Sequence, residues 1–411
     1  MKKALCLLLS FLLFTSCSDA VVADIYTVST QQCSTCAISM GHFASIFHLT
    51  GDDFIFVDYR DAFLTSSGEK LRQAELFHYD IHSGKLSIIY ASPEHATIAG
   101  GDLFPGSVTS AVDVAGDTLY FLELRRLSEG YQIDCMALRL STFEVTRLAT
   151  RHSGRYLSAL SLSLTSDGKL IISELRSGQS ETVHMFIDKQ SGAILSSGQF
   201  APAAAEGGGD VLYSASDAYV SVVGDKSYAL VQKVTENTNH SAVSEYYLHI
   251  YSGDERIARL IDLAPSRISR RDAPLGIPSQ LRVCGQYGYA LVANYGYLFD
   301  VERSLPIGIP DDAVPLLKRA VCHTASDGSD RYMVFTNYLG DGDAHTPEIC
   351  VLDTHSGRFS IYRFQVGSAP FFRFLAFDAN LNAVVQIGAP DHSGKVTYET
   401  YTVSLNAALK P

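Results

Sequence analysis

The sequence predicts an all-β chain folded as a single β-propeller of seven four-stranded blades. Three observations carry that expectation. First, the stretch from Arg155 to Phe200 reads as four short strands: Leu157 to Leu164, Leu170 to Leu175, Thr182 to Asp188 and Ala193 to Phe200. Ser166-Asp167-Gly168-Lys169 and Gln190-Ser191-Gly192 are its tight turns, and four consecutive antiparallel strands make one blade. Second, variants of this unit recur, with second-strand candidates spaced by roughly 44 to 64 residues, the period of blades rather than of short solenoid repeats. Third, several units close with the same hairpin residues. A repeat array also suits 411 residues, too many for one ordinary core, because each blade packs only on its neighbours.

Taken in order, the chain starts with Lys2 and Lys3, followed by an apolar run from Ala4 to Phe14. That run of about eleven residues is too short to span a bilayer as a helix and reads as a secretory signal. It ends in Leu13-Phe14-Thr15-Ser16-Cys17, which resembles a bacterial lipobox, with Phe14 where Leu is usual. The resemblance implies that Cys17 is lipidated and becomes the first mature residue. The expected organisation is a signal peptide over 1–16, a tether over 17–23 and the propeller over 24–411. The expected location is an exported, membrane-anchored lipoprotein of a bacterial envelope, at the outer membrane, touching the membrane through lipid alone.

The second-strand candidates are Phe54 to Arg60, Thr118 to Arg125, Leu170 to Arg176, Ser227 to Lys233, Gly288 to Asn294, Arg331 to Asn337 and Asn382 to Ile387. They are apolar on both faces, as strands sandwiched between neighbouring blades should be. Third strands run into a shared turn, Asp80-Ile81-His82-Ser83-Gly84, Asp188-Lys189-Gln190-Ser191-Gly192 and Asp353-Thr354-His355-Ser356-Gly357, with Phe299-Asp300 as a degenerate copy. Asp accepts from backbone N–H groups further on, and Gly supplies the positive φ. These aspartates therefore read as turn residues rather than catalytic ones. The last unit shows only three strands, Phe371 to Asp378, Asn382 to Ile387 and Lys395 to Leu405. Asp24 to Ser29 is the spare strand expected to pair with it, closing the ring and leaving no open edge. Six blades is the rival count.

The Asp-x-x-Ser-Gly hairpin resembles that of the quinoprotein-like and TolB-like propellers of bacterial envelopes, especially lipoproteins of that build. The resemblance implies a fold and a location and brings no catalytic residue with it. The chain lacks Trp altogether, so the tryptophan motifs of quinone-dependent dehydrogenases are absent, as are a Trp-Asp pair and the sialidase box. No cofactor and no metal are expected. A net charge of −12 with no basic run argues against nucleic acid and against electrostatic docking on anionic lipid.

Loop lengths point to one face. Turns between first and second strands, and between third and fourth, are short. The other two loop classes are long in sequence, as in Asp61 to Ala74, Ser92 to Gly106, Arg126 to Tyr131, Pro202 to Asp210, Lys233 to Ser244, Pro265 to Pro278 and Leu339 to Glu348. In an antiparallel blade those two classes emerge together, and long loops on a rigid scaffold are where binding resides. Three second strands end there in an acid and an Arg two apart, hence on one side: Asp58-Tyr59-Arg60, Glu123-Leu124-Arg125 and Glu174-Leu175-Arg176. Later blades carry Asn294-Tyr295 and Asn337-Tyr338 at this place. Arg60, Arg125, Arg176, Tyr295 and Tyr338 are thus the candidate ligand-binding rim, since Arg forks suit carboxylates. The competing reading is that acid and Arg tie neighbouring blades together.

Cys33-Ser34-Thr35-Cys36 lacks a following His and a βαβ context, so it reads as a small structural disulfide in an oxidising compartment. Asp341-Gly342-Asp343 and Ser326 to Asp330 read as solvated acidic turns. Of His42, His95, His152, His240 and His345, all in loop or rim positions, no metal site is expected. Two readings of function follow. One is a non-enzymatic binding or scaffold module that presents its loop-rich face to an envelope protein, a peptide or a glycan. The alternative is a hydrolase or lyase using carboxylates or a His-bound metal in the central funnel. An enzyme should show convergent acids or histidines with shifted pKa values there.

Overall fold

The computed structural model describes residues 22–408 apart from 39, 41–43, 65–69, 101–107, 154–156, 177–181, 200–210, 216–220, 224–225, 237–241, 253–254, 262–277, 293–294, 318–319, 338–346, 367–370, 391 and 393–395. Seven sheets follow one another along the chain. Blade 5 is Pro278–Cys284, Tyr287–Val292, Tyr295–Asp300 and Leu305–Pro306. Blade 6 is Ala320–Thr324, Tyr332–Asn337, Glu348–Asp353 and Arg358–Gln365, and blade 7 contains Phe371–Phe377, Asn382–Pro390 and Val396–Ser404. Blade 1 is Ser45–Leu49, Asp53–Leu64, Lys70–Asp80 and Lys85–Ala91. Blade 3 is Leu157–Leu164, Lys169–Arg176, Thr182–Asp188 and Ile194–Gln199, the four strands expected of that stretch. All seven second-strand candidates form strands beside their first strands. Blades 2 and 4 have divided inner strands: Ala96–Ile98 and Ser110–Asp113 both pair with Thr118–Leu127, and Val211–Ala215 and Ser221–Val223 both pair with Lys226–Glu236.

The cores lie between blades rather than within them. Ile55, Val57 and Leu76 of blade 1 meet Phe121 and Leu138 of blade 2. Leu122 and Ile133 of blade 2 meet Leu160 and Ile172 of blade 3. Phe335 and Cys350 of blade 6 meet Tyr289 and Leu298 of blade 5, and Val384 of blade 7 returns to Phe54 and Phe56 of blade 1. Each second strand is buried on both faces, which explains its unbroken apolar run. A fully buried Phe121 contributes about 1.5–3 kcal/mol to the blade 1–2 junction by removal from water.

The hairpin turns behave as their residues dictate. Asp80 Oδ1 accepts from the Ser83 N–H at 2.7 Å, Asp188 Oδ1 from Ser191 at 2.7 Å, and Asp353 Oδ1 from His355 at 2.9 Å. Gly84, Gly192 and Gly357 have φ of 66°, 70° and 69°. In blade 5 the degenerate copy keeps the acceptor, Asp300 to Arg303 N–H at 2.7 Å, but places Ser304 at φ 58°.

Ring closure corrects the sequence expectation. An N-terminal strand does complete the last blade, but it is Cys33–Cys36, antiparallel to Val396–Ser404. Asp24–Ser29 instead lies parallel along Arg358–Gln365, as a fifth strand on blade 6. A 3-10 turn over Thr30–Gln32 joins the two. Two short segments were available where strand counting allowed one, and both find an open edge. The N-terminus therefore clasps blades 6 and 7 together, with Tyr26 stacked on Tyr362 at 5.3 Å and Val28 buried among Phe364, Phe377 and Val403.

Candidate functional site

The acids of the rim pattern are the best defined part of it. Glu123 is buried and accepts from the Tyr90 hydroxyl of blade 1 at 2.5 Å. Burial raises its carboxyl pKa, and burial, then the contact with Glu123, pushes the Tyr90 phenol up. Glu174, with no exposed surface, accepts from Arg151 Nη2 of blade 2 at 2.6 Å. Asp134, cross-strand from Glu123, accepts from Thr150 at 2.5 Å and Gln132 at 2.8 Å. Thus Glu123 and Glu174 tie blades 2 and 3 to the outer strand of the blade before, while Asp134 bonds within blade 2. The partners shown, Tyr90 and Arg151, come from the preceding blade.

Of the five rim candidates, Arg125 and Tyr295 are described with their side chains. Arg125 is half-buried on blade 2, its charge acting on Glu123 and its Nε buried without a hydrogen bond among the described residues. Tyr295 is half-buried on blade 5 and packs on the blade 4–5 core, so the two stand on blades three apart in the ring. Arg60 and Arg176 lie in strands whose backbone is placed but whose side chains fall outside the described residues, as Tyr338 and Cys17 do entirely. The expected long loop from Arg126 to Tyr131 is a two-residue turn between Leu127 and Gly130. Much of Asp61 to Ala74 and Lys233 to Ser244 is strand, in hairpins extended beyond the neighbouring blades.

The predicted Cys33–Cys36 disulfide is not formed, and both thiols are free. They lie three apart in one strand, on opposite faces and about 10 Å apart, whereas a bridge needs Cα atoms roughly 4.4–6.8 Å apart. Burial pushes the Cys36 thiol up to about 11. Asp327 serves its turn, accepting from Ser329 and Ala379 N–H groups. His95 and His152 are exposed, while His42, His240, His345 and Asp341 to Asp343 lie outside the described residues. Among the described residues, no three His, Cys, Asp or Glu side chains assemble as a metal-ligand group.

The sequence reading named the central funnel but assigned none of the lining side chains to it. A channel of about 990 Å³ runs between the inner strands of all seven blades, a size typical of small-molecule sites. Its walls differ. Blades 1, 2 and 3 line it with hydroxyls, Ser45, Ser110 and Ser163. Blades 5, 6 and 7 line it with Arg282, His323 and Arg373. Gln280 holds blade 5 to blade 6 by giving and taking hydrogen bonds with the Cys322 backbone, at 3.0 and 2.9 Å. His323 Nε2 lies 3.0 Å from Thr336 Oγ1, and its ring meets Phe374 of blade 7 edge-on. Burial, then the Arg282 charge, lowers His323 to about 4, so it is neutral at pH 7. Arg373 donates to Gln386 Oε1 at 3.2 Å, with its guanidinium 6.0 Å from the Tyr398 ring centre. Among the described residues, four acids line the channel: Asp113 pairs with Lys189 at 2.5 Å, Glu348 pairs with Arg363 at 2.6 Å, Asp327 accepts from the Ser329 and Ala379 N–H groups, and Asp330 stands beside them. The sequence signal was available in principle, because each inner strand precedes a recognisable second strand.

No protein-family model matches the sequence, and no curated protein sequence matches it. Solved structures do. The β-propeller domain of the Trilobed protease from Pyrococcus furiosus, described as having an open velcro topology, is similar at a TM-score of 0.50 and 11% identity, over 89% of this chain and 94% of that one. Pyrococcus horikoshii acylaminoacyl peptidase is similar at a TM-score of 0.50 and 10% identity, over 88% of this chain and 51% of that one. This chain therefore spans about half the length of the peptidase. At such identities the likeness shows the fold, a generic propeller.

Proposed function

We propose that the protein is a lipid-anchored propeller of a bacterial envelope that works as a binding or scaffold module, presenting its loop-rich face to a protein, peptide or glycan. The observation that carries this reading is where the buried charge goes. Glu123, Glu174, Asp134 and Asp113 are each engaged in ties to a strand of their own or the neighbouring blade. They build the ring and do not converge on a reacting centre.

The course of the N-terminus supports the orientation. Ala23 is already buried, and Asp24 pairs with Ser360, two residues beyond the Asp353–Arg358 tight turn. A lipid on Cys17 stands at most about 18 Å of chain from Val22. It would hold the tight-turn side nearest the bilayer and leave the loop-rich face turned outward. The test is fractionation of cells expressing the wild type and Cys17→Ser. The substituted protein is expected in the soluble fraction with unchanged melting. Retention in membranes after a carbonate wash would count against the tether.

A further inference from the structure

We propose that the central channel binds a carboxylated sugar, its carboxylate held by Arg373 and its hydroxyls by the opposite wall. The proposal rests on the binding-module reading and adds a ligand class and a second site to it, apart from the loop-rich face. Three features on the page point to that chemistry. The space is a channel of about 990 Å³, large enough for one or a few sugar rings. One wall carries cationic side chains, Arg282 on blade 5 and Arg373 on blade 7, with the neutral His323 of blade 6 between them; of the lining acids, Asp113 and Glu348 pair with Lys189 and Arg363, and Asp327 accepts two backbone N–H groups. The facing wall carries half-exposed hydroxyls at Ser45, Ser110 and Ser163, donors and acceptors suited to sugar hydroxyls.

Arg373 is the anchor. A guanidinium has five N–H donors, and Nη1 of Arg373 spends one on Gln386 Oε1. Tyr398 stands beside the guanidinium and offers a ring face within the same wall. Gln386 is fully buried and itself donates to Met40 O and Thr400 Oγ1, so the partner that orients Arg373 is fixed. A preoriented fork in a narrow channel favours a planar carboxylate over a spherical anion, because two parallel N–H bonds reach both oxygens. Arg282, on the inner strand of blade 5 two blades away, adds its charge to the same channel. A neutral sugar would fill the space and leave that fork without its carboxylate, which is the kind of mismatch that separates close analogues.

The test is isothermal titration of the full chain with D-glucuronate, with D-glucose as the neutral match and inorganic phosphate as the bare anion. Glucuronate is expected to bind at least tenfold more tightly than either. Arg373→Gln is expected to remove that preference with little change in melting temperature. Arg373→Lys, which keeps charge and bulk without the fork, should lie between. Glucuronate binding no tighter than glucose, or displaced equally by phosphate, would overturn the proposal. So would wild-type affinity in Arg373→Gln. If that variant does not fold, the comparison of the three titrants on the wild type decides alone. Capture of a partner by the loop-rich face is measured separately, so the two readings can fail independently.

Discussion

Where blade 2 abuts blade 3, Arg151 and Glu174 meet at 2.6 Å, the Arg side chain 14% exposed and the carboxylate not at all. Removing one partner of a buried pair strands the other charge, a loss of roughly 3–5 kcal/mol. Arg151→Met should therefore lower the melting temperature by many degrees, and adding Glu174→Gln should restore most of the loss. A double-mutant cycle reads the coupling; additive effects would mean the pair is not a tie. His184 lies next to this pair, its Nδ1 2.7 Å from Ser173 Oγ. Burial, then the Arg151 charge, lowers it from 6.5 to about 3. Between those values the unfolded chain binds a proton that the folded chain does not, so stability is full above pH 6.5 and falls as pH drops toward 3. His184→Gln should flatten the acid limb of a melting-temperature profile between pH 7 and 4; an unaltered slope would remove His184 from the account. At this scale the sequence showed the acids and the Arg two residues on, because strand alternation puts them on one side. It did not show that Tyr90 and Arg151, from other blades, are the partners, since no local pattern encodes contacts 33 and 23 residues away.

Strands and turns were legible to different degrees for a physical reason. The hairpins at Asp80, Asp188 and Asp353 declare themselves because acceptor and positive-φ glycine lie within five residues. Seven second strands stand out because burial on both faces demands continuous apolar runs. Edge strands carry no such signature. Cys33–Cys36 is short, half polar and only one residue deep in the core, so it read as a disulfide motif rather than as the strand that closes blade 7. The closure gives an expected outcome in two truncations. A chain starting at Thr30 loses the fifth strand of blade 6 but keeps the closing strand, and should melt cooperatively, several degrees below the full chain. A chain starting at Ala37 opens blade 7 and should aggregate or lose its cooperative transition. Equal melting of the second truncation and the full chain would show that Cys33–Cys36 does not close the ring.

As a whole molecule, the chain is a ring whose junctions hold the apolar cores, whose buried charges serve as joints and whose centre is left open. With acids spent on joints, what remains for recognition is the channel and the face where blades connect to one another. In the proposed binding module that face is turned to the partner and the tight turns toward the membrane. The most direct measurement places a photoreactive benzoylphenylalanine at Glu129, in the turn between second and third strands of blade 2, or at Gln190, in the tight turn of blade 3. Both positions are exposed. Irradiation of intact membranes is expected to give a discrete cross-linked protein or glycan adduct from position 129 and none from position 190. The same adduct from position 190, with nothing from position 129, would contradict the account.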